Sequence, residues 1–231
     1  MNLVKALDVR ETSFKVLRQM GIPKELLYSV CLNPDDIKAI YDITKDKKIS
    51  QVLEIGSFVG VSAMVLLTLF KKSTICCVDP CLSIRSDAVK YGADLTKSTD
   101  YYFQSLSDNF GLGDRITKIK AFFSKMPDSN TITYHLPNNP DMLNIPVISS
   151  IPEQNKKFDL IFIDADHYAE SVLSNLTLTT KMLNHGGCVV LHDVCGKWGQ
   201  EVQKGANSFV SQNMNYDFYI HNTLGVVSKN R

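Results

Sequence analysis

The sequence predicts an α/β fold, a doubly wound parallel sheet that closes on an antiparallel hairpin. Three observations carry this. From residue 51 onward, short and almost wholly apolar runs alternate with helical segments, the pattern of a parallel sheet covered on both faces. The inner runs are rich in Val, Ile, Leu and Cys, as strands buried on both sides must be. The last two runs are separated only by Asn222-Thr223. That connection is too short for a crossover and forces antiparallel pairing.

The elements follow in order. Residues 1–50 read as helices broken at Gly21-Ile-Pro23 and Asn33-Pro34. In PDDIKAIYDITKD, Pro34 opens a helix, acids fill its first turn, and Ile37, Ile40, Tyr41 and Ile43 share a face. QVLEI (51–55) is a strand, GSFVG (56–60) a loop and VSAMVLLTLF (61–70) an apolar helix. STICCVD (73–79) is a strand, TDYYFQSLSDNFG (99–111) a helix ending at glycine, and RITKIKAFF (115–123) a third strand. FDLIFID (158–164) is a fourth strand, and residues 167–184 form a helix closed by His185-Gly186-Gly187. GCVVLHD (187–193) is a fifth strand and residues 197–213 a helix. YDFYIH (216–221) and LGVVSK (224–229) form the hairpin. Residues 124–157 carry five prolines and no helical period. They read as an insertion, with a small hairpin, that serves as a lid near the site, the alternatives being a dimer contact or a disordered segment.

The 231 residues fit one domain, 1–231, with ordinary apolar (44%) and charged (21%) content. A net charge of +1 gives no basis for nucleic-acid or membrane-surface binding. No apolar run is long enough to span a bilayer, and the charged N-terminal stretch does not read as a signal peptide. The six cysteines form no CxxC, and a chain of this length needs no disulfide staples. A cytoplasmic location is expected.

Two stretches carry chemistry. In LEIGSFVGVS (53–62), Gly56 permits a sharp turn and close ligand approach, and Gly60 opens a helix whose first N–H groups face the loop. Glu54 stands two residues before Gly56. The spacing is GxxxG rather than the GxGxxG of dinucleotide folds. An acid there would repel a pyrophosphate and suits a ligand with hydroxyls and a positive charge, such as S-adenosylmethionine. Asp79 ends the next strand, 23 residues after Gly56, where a carboxylate can accept from a ribose diol. In FDLIFIDADHYAES (158–171), an apolar strand runs straight into Asp164, Asp166 and His167. Isolated buried carboxylates are costly, so these sit at a wet strand end or hold a positive group.

LEIGSFVGVS, CVDP, DLIFIDADHYAESV and GGCVVLHDV together resemble the class I S-adenosylmethionine-dependent methyltransferases. More narrowly they resemble the small-molecule O-methyltransferases, the sugar and macrolide and the catechol and caffeoyl-coenzyme A enzymes. The resemblance covers residues 35–123 and 158–228. It implies a Rossmann-like seven-stranded sheet of order 3-2-1-4-5-7-6 with strand 7 antiparallel, and often a homodimer. It implies methyl transfer from S-adenosylmethionine to a hydroxyl of a small-molecule acceptor, a sugar or secondary metabolite. Glu54, Gly56, Ser57, Gly60, Ser62, Asp79, Ser124 and Asp164 would hold the cofactor.

In the metal-dependent branch a divalent cation, magnesium or manganese, would be held by Asp164, His192 and Asp193. His192 departs from the acidic or amide residue of that pattern, because magnesium prefers oxygen. It is left as a ligand of a softer metal, as a general base, or as a residue that orients Asp193. His167 is a second candidate base, and Asp164, His167 and His192 form the catalytic set. Asp166 is assigned to capping the following helix, and Trp198 to the floor of the acceptor pocket or to packing. Other readings are transfer to nitrogen or carbon, a non-catalytic S-adenosylmethionine-binding protein, and a nicotinamide-dependent reductase. The missing GxGxxG and the acid at Glu54 count against the last.

Overall fold

The computed structural model describes residues 1–82, 97–124, 131–135, 142–151 and 156–230. Three helices come first: α1 (Leu3–Gln19), α2 (Lys24–Val30) and α3 (Pro34–Thr44). The start of α3 is fixed by a reciprocal cap. The Asn33 side chain accepts from the N–H groups of Asp35 and Asp36, and the Asp36 carboxylate accepts from the N–H of Asn33.

Seven strands then build the main sheet: β1 (Gln51–Ile55), β2 (Thr74–Asp79), β3 (Ile116–Lys120), β7 (Phe158–Ile163), β8 (Leu183–Leu191), β9 (Tyr216–His221) and β10 (Leu224–Lys229). Their order is β3-β2-β1-β7-β8-β10-β9. The first five pair in parallel, and β10 runs antiparallel to both β8 and β9. This is the expected order 3-2-1-4-5-7-6.

Alternate residues of each strand feed two cores. Val52, Phe162 and Val190 face one core with α1, α4 (Val61–Leu69) and α5 (Thr99–Phe110). Leu53, Ile161 and Val189 face the other, with α6 (Ala169–Thr179) and α7 (Gly199–Gln212). Every residue of α4 is buried, which explains why its sequence is apolar all round rather than striped. The helix that follows the GSFVG loop is therefore held rigidly, and the loop with it.

Three boundaries differ from the sequence reading. The third strand breaks at Ala121, whose N–H donates to Asp79 O (3.1 Å). Beyond the break β4 (Phe122–Phe123) leaves the main sheet and joins a small three-stranded sheet with β5 (Thr131–His135) and β6 (Met142–Ile148). β5 and β6 pair antiparallel, so the insertion does hold a hairpin. Pro127, Pro137, Pro140 and Pro152, in residues 125–130, 136–141 and 152–155 of the expected lid, lie outside the described residues.

The helix expected over 167–184 ends at Thr179, and a short 3-10 turn leads into β8 at Leu183. His185-Gly186-Gly187 thus lie inside a strand. They sit at an irregularity in the β7–β8 register, between the pairs of Phe158 and Leu160. A Cβ on Gly187 would lie 2.8 Å from Asp159 O, so glycine there serves close strand approach and not a helix stop. Finally, His192-Asp193 lie just past the end of β8 rather than within it.

No helix among the described residues is long and apolar enough to cross a membrane. All six cysteines carry free thiols.

Candidate active site

The carboxyl ends of β1, β7 and β8 meet at the point where the strand order reverses, the usual place for a ligand crevice in an open α/β sheet. The ladder continues one residue past each strand: Asp164 N–H donates to Ile55 O (2.9 Å) and His192 N–H to Ile163 O (3.0 Å). The site residues are thereby fixed by backbone and not left on free loops.

Gly56 turns at φ +84° and donates its N–H to Val78 O (2.9 Å). A Cβ there would lie 2.1 Å from Asp164 O, so no other residue fits. Gly60, at φ +88°, opens α4, and a Cβ on it would strike the Phe103 ring at 2.7 Å. Between them the N–H groups of Ser57 and Phe58 donate to one oxygen of Asp79 (3.0 and 2.9 Å), and Cys81 N–H donates to the other (2.7 Å). Asp79 therefore ties the glycine turn to the end of β2. Burial pushes its carboxyl up despite these three bonds.

Glu54 is the penultimate residue of β1. It lies fully buried on the α4 side of β1, accepting from the Cys77 thiol (3.2 Å). Burial pushes its carboxyl to about 8, against the pull of Ser62 and Cys77, with Asp164 and Asp79 adding to the rise. At about 8 the protonated form is favoured near neutral pH. Glu54 Oε1 and Ser57 Oγ are buried without a hydrogen-bond partner among the described residues. Buried polar groups rarely stay unpaired, so both are candidates for a ligand. Ser62 is buried on α4 beside Glu54. Ser124 donates its N–H to Ile148 O (3.0 Å), at the seam with the small sheet. Phe123 packs into the second core and does not offer a free stacking face.

The second half of the site is charged. Asp164, His167 and Asp193 each offer a ligand atom, and these atoms lie within 4.8 Å of one another. Asp193 is held at φ +54°, a left-handed conformation that Asp tolerates better than most residues. Its carboxylate contacts His167 Nε2 at 2.6 Å. Burial pushes the Asp193 carboxyl up, but the His167 contact and the nearby His192 imidazole hold it far below the usual range. The His167 ring stacks on Trp198 at 5.5 Å between centroids and 15° between planes, and Tyr168 meets the same indole edge-on. Trp198 thus packs against a site residue while its own surface stays 37% exposed.

His192 faces three carboxylates. Its Nε2 lies 3.2 Å from Asp36 Oδ2, and its Nδ1 lies 3.3 Å from Asp164 Oδ1 and 3.2 Å from Asp193 Oδ2. The Nδ1 contacts are ion-pair distances without hydrogen-bond alignment. Burial pulls the imidazole down, but the Asp164 charge and the three carboxylate contacts outweigh it and hold the ring well above its ordinary value. Nε2 is thus engaged by Asp36, while Nδ1 faces the two site carboxylates. Among the described residues the group able to hold one ion contains His167 in place of His192. Asp166 accepts from the Ser171 hydroxyl (2.6 Å) and from Tyr168 N–H (3.4 Å), a local role at the start of α6.

Asp36 and Thr223 were not foreseen. Asp36 is 2% exposed and accepts from the Thr223 hydroxyl (2.5 Å) as well as from His192. The sequence shows it only as a helix-start acid, which says nothing of a partner 156 positions away.

Residues 53–194 match the family model of a methyltransferase domain. A search of curated proteins finds no match. Among solved structures, the O-methyltransferase TomG from Streptomyces achromogenes, in complex with S-adenosylmethionine, superposes with a TM-score of 0.57 at 11% identity over 96% of this chain and 90% of that one. An O-methyltransferase from Bacillus cereus, in complex with S-adenosylhomocysteine, gives 0.56 at 11% identity over 97% and 91%. A methyltransferase from Podospora anserina with S-adenosylhomocysteine bound gives 0.55 at 16% identity over 97% and 88%. At these identities the likeness is one of fold.

Proposed function

The chain belongs to the methyltransferase-domain family, and from that premise we propose that it moves the sulfonium methyl of S-adenosylmethionine to a hydroxyl of a small molecule, a sugar or other secondary metabolite. The observation that carries this reading is the contact between the Gly56 turn and Asp164. It sets the cofactor turn directly beside a cluster of carboxylates and imidazoles. The buried, unpartnered Ser57 Oγ and Glu54 Oε1 support a polar ligand at the turn. A neutral Glu54 can donate or accept there, which suits the amino-acid end or a hydroxyl of the cofactor.

The donor set also fits a divalent cation. Two carboxylates and one imidazole on Asp164, His167 and Asp193 match manganese better than magnesium, which favours oxygen alone. When bound, such an ion would lower the pKa of the acceptor hydroxyl and screen its charge. The protein's own contribution is orientation, since holding acceptor and sulfonium in line removes much of the entropic barrier. Without an ion, the 2.6 Å His167–Asp193 pair has the geometry of a base oriented by a carboxylate.

Calorimetric titration with S-adenosylhomocysteine, with and without manganese, tests the reading. Binding of S-adenosylhomocysteine supports the cofactor assignment, and binding enhanced by manganese supports the cation. Binding indifferent to manganese moves the chemistry to His167. No binding alongside binding of NADH refutes the methyltransferase reading.

A further inference from the structure

We propose that Asp36, carried on α3, is a positioning residue of the reaction centre, anchoring His192 so that the far side of the imidazole holds Asp164 and Asp193 in place. Five contacts lead to this. Asp36 Oδ2 faces His192 Nε2 at 3.2 Å. The same carboxylate accepts from Asn33 N–H (2.8 Å) and from the Thr223 hydroxyl (2.5 Å), so it cannot swing away. The opposite nitrogen, Nδ1, sits between Asp164 (3.3 Å) and Asp193 (3.2 Å). These are the two carboxylates of the ion-binding trio.

The ring is therefore anchored through Nε2 and presents Nδ1 at ion-pair distance to both site carboxylates. Carboxylates that bind a metal act best when a second layer of bonds fixes their orientation. Here that layer begins in the N-terminal helices and includes the β9–β10 turn through Thr223. Helix capping alone does not account for it. A cap needs only an acceptor near the Asn33 amide, and it gives no reason for a 2% exposed carboxylate to meet an imidazole from the end of β8. An unpaired buried carboxylate is costly, so Asp36 and His192 depend on one another.

The inference rests on the cation reading above, and its test separates the two. Manganese and S-adenosylhomocysteine are titrated calorimetrically into the unchanged protein, Asp36→Asn and Thr223→Val. In parallel, long-range nitrogen–proton spectra read the His192 ring in the metal-free protein. Asn keeps an acceptor for the cap and removes the charge. Asp36→Asn is expected to bind manganese roughly 10–100-fold more weakly, to keep its affinity for S-adenosylhomocysteine, and to lose the slowly exchanging Nε2 proton of His192. Thr223→Val is expected to show a smaller drop in the same direction. Equal manganese affinity in the unchanged protein and Asp36→Asn overturns the proposal. So does a His192 Nε2 proton that exchanges freely in the unchanged protein, a result that stands even where Asp36→Asn fails to fold. If the unchanged protein binds S-adenosylhomocysteine but no manganese, the cation reading fails, and the His192 spectrum alone decides the role of Asp36.

Discussion

Gly56 and Asp164 touch through their backbones, so closely that a Cβ at position 56 would lie 2.1 Å from the Asp164 carbonyl oxygen. One contact joins the turn that follows β1 to the charged end of β7. Gly56→Ala must therefore displace the backbone as well as adopt φ +84°, where a Cβ alone costs about 1–2 kcal/mol. Thermal unfolding should show a clear loss of stability. Calorimetry should show loss of S-adenosylhomocysteine binding even in protein that remains folded. A variant with unchanged melting temperature and affinity would contradict the contact.

Glu54 links stability to pH. Its carboxyl ordinarily titrates near 4.5 and is pushed up to about 8 in the fold. Between those values the folded state holds a proton that the unfolded state has released. Stability contributed by this group is therefore full below about 4.5 and is lost as pH rises through about 8, at up to about 1.4 kcal/mol per pH unit. Melting curves from pH 5 to 8 should fall more steeply for the native sequence than for Glu54→Gln, which cannot ionise. Parallel curves would remove burial as the controlling cause.

Asp193→Asn keeps a residue that tolerates φ +54° and removes one charge of the trio. It should abolish manganese binding while leaving S-adenosylhomocysteine binding in place. Loss of both ligands together would mean that Asp193 supports the fold of the crevice and not the ion.

Trp198→Ala removes the indole stacked on His167. An aromatic pair of this kind contributes about 0.5–1.5 kcal/mol, so denaturant unfolding should register a loss of that size. The freed His167 ring should also weaken manganese binding. Unchanged metal affinity with the same stability loss would assign Trp198 to packing alone.

Leu66 lies at the centre of α4 with no exposure. Leu66→Ala should cost about 2–5 kcal/mol in equilibrium unfolding, because α4 is buried all round and its neighbours close a cavity poorly. A loss under about 1 kcal/mol, the scale of a well-tolerated core exchange, would mean that α4 packs more loosely than its burial implies.

The sheet was legible because its signals are local. Apolar runs covered on both faces, the two-residue Asn222-Thr223 connection and the GSFVG turn each carry their own geometry. The helix boundary before β8 was misread because Gly186-Gly187 is also a common helix stop, and only the close approach to Asp159 O shows its other use. Asp164, His167 and Asp193 were visible at strand ends. The partner of His192 was not. Asp36 looks in sequence like any helix-start acid, and only the packing of α3 against the end of the sheet brings it to the imidazole. The burial of Glu54 was not legible, since pattern alone does not report how completely β1 and α4 exclude water.

The central claim is that the Gly56 turn and the Asp164 cluster form one site for a methyl-donating cofactor and a cation. Titration of the purified protein with S-adenosylhomocysteine, with and without manganese, tests it most directly. The account predicts saturable one-to-one binding that tightens when manganese is present. Heats no larger than dilution in both titrations would contradict it.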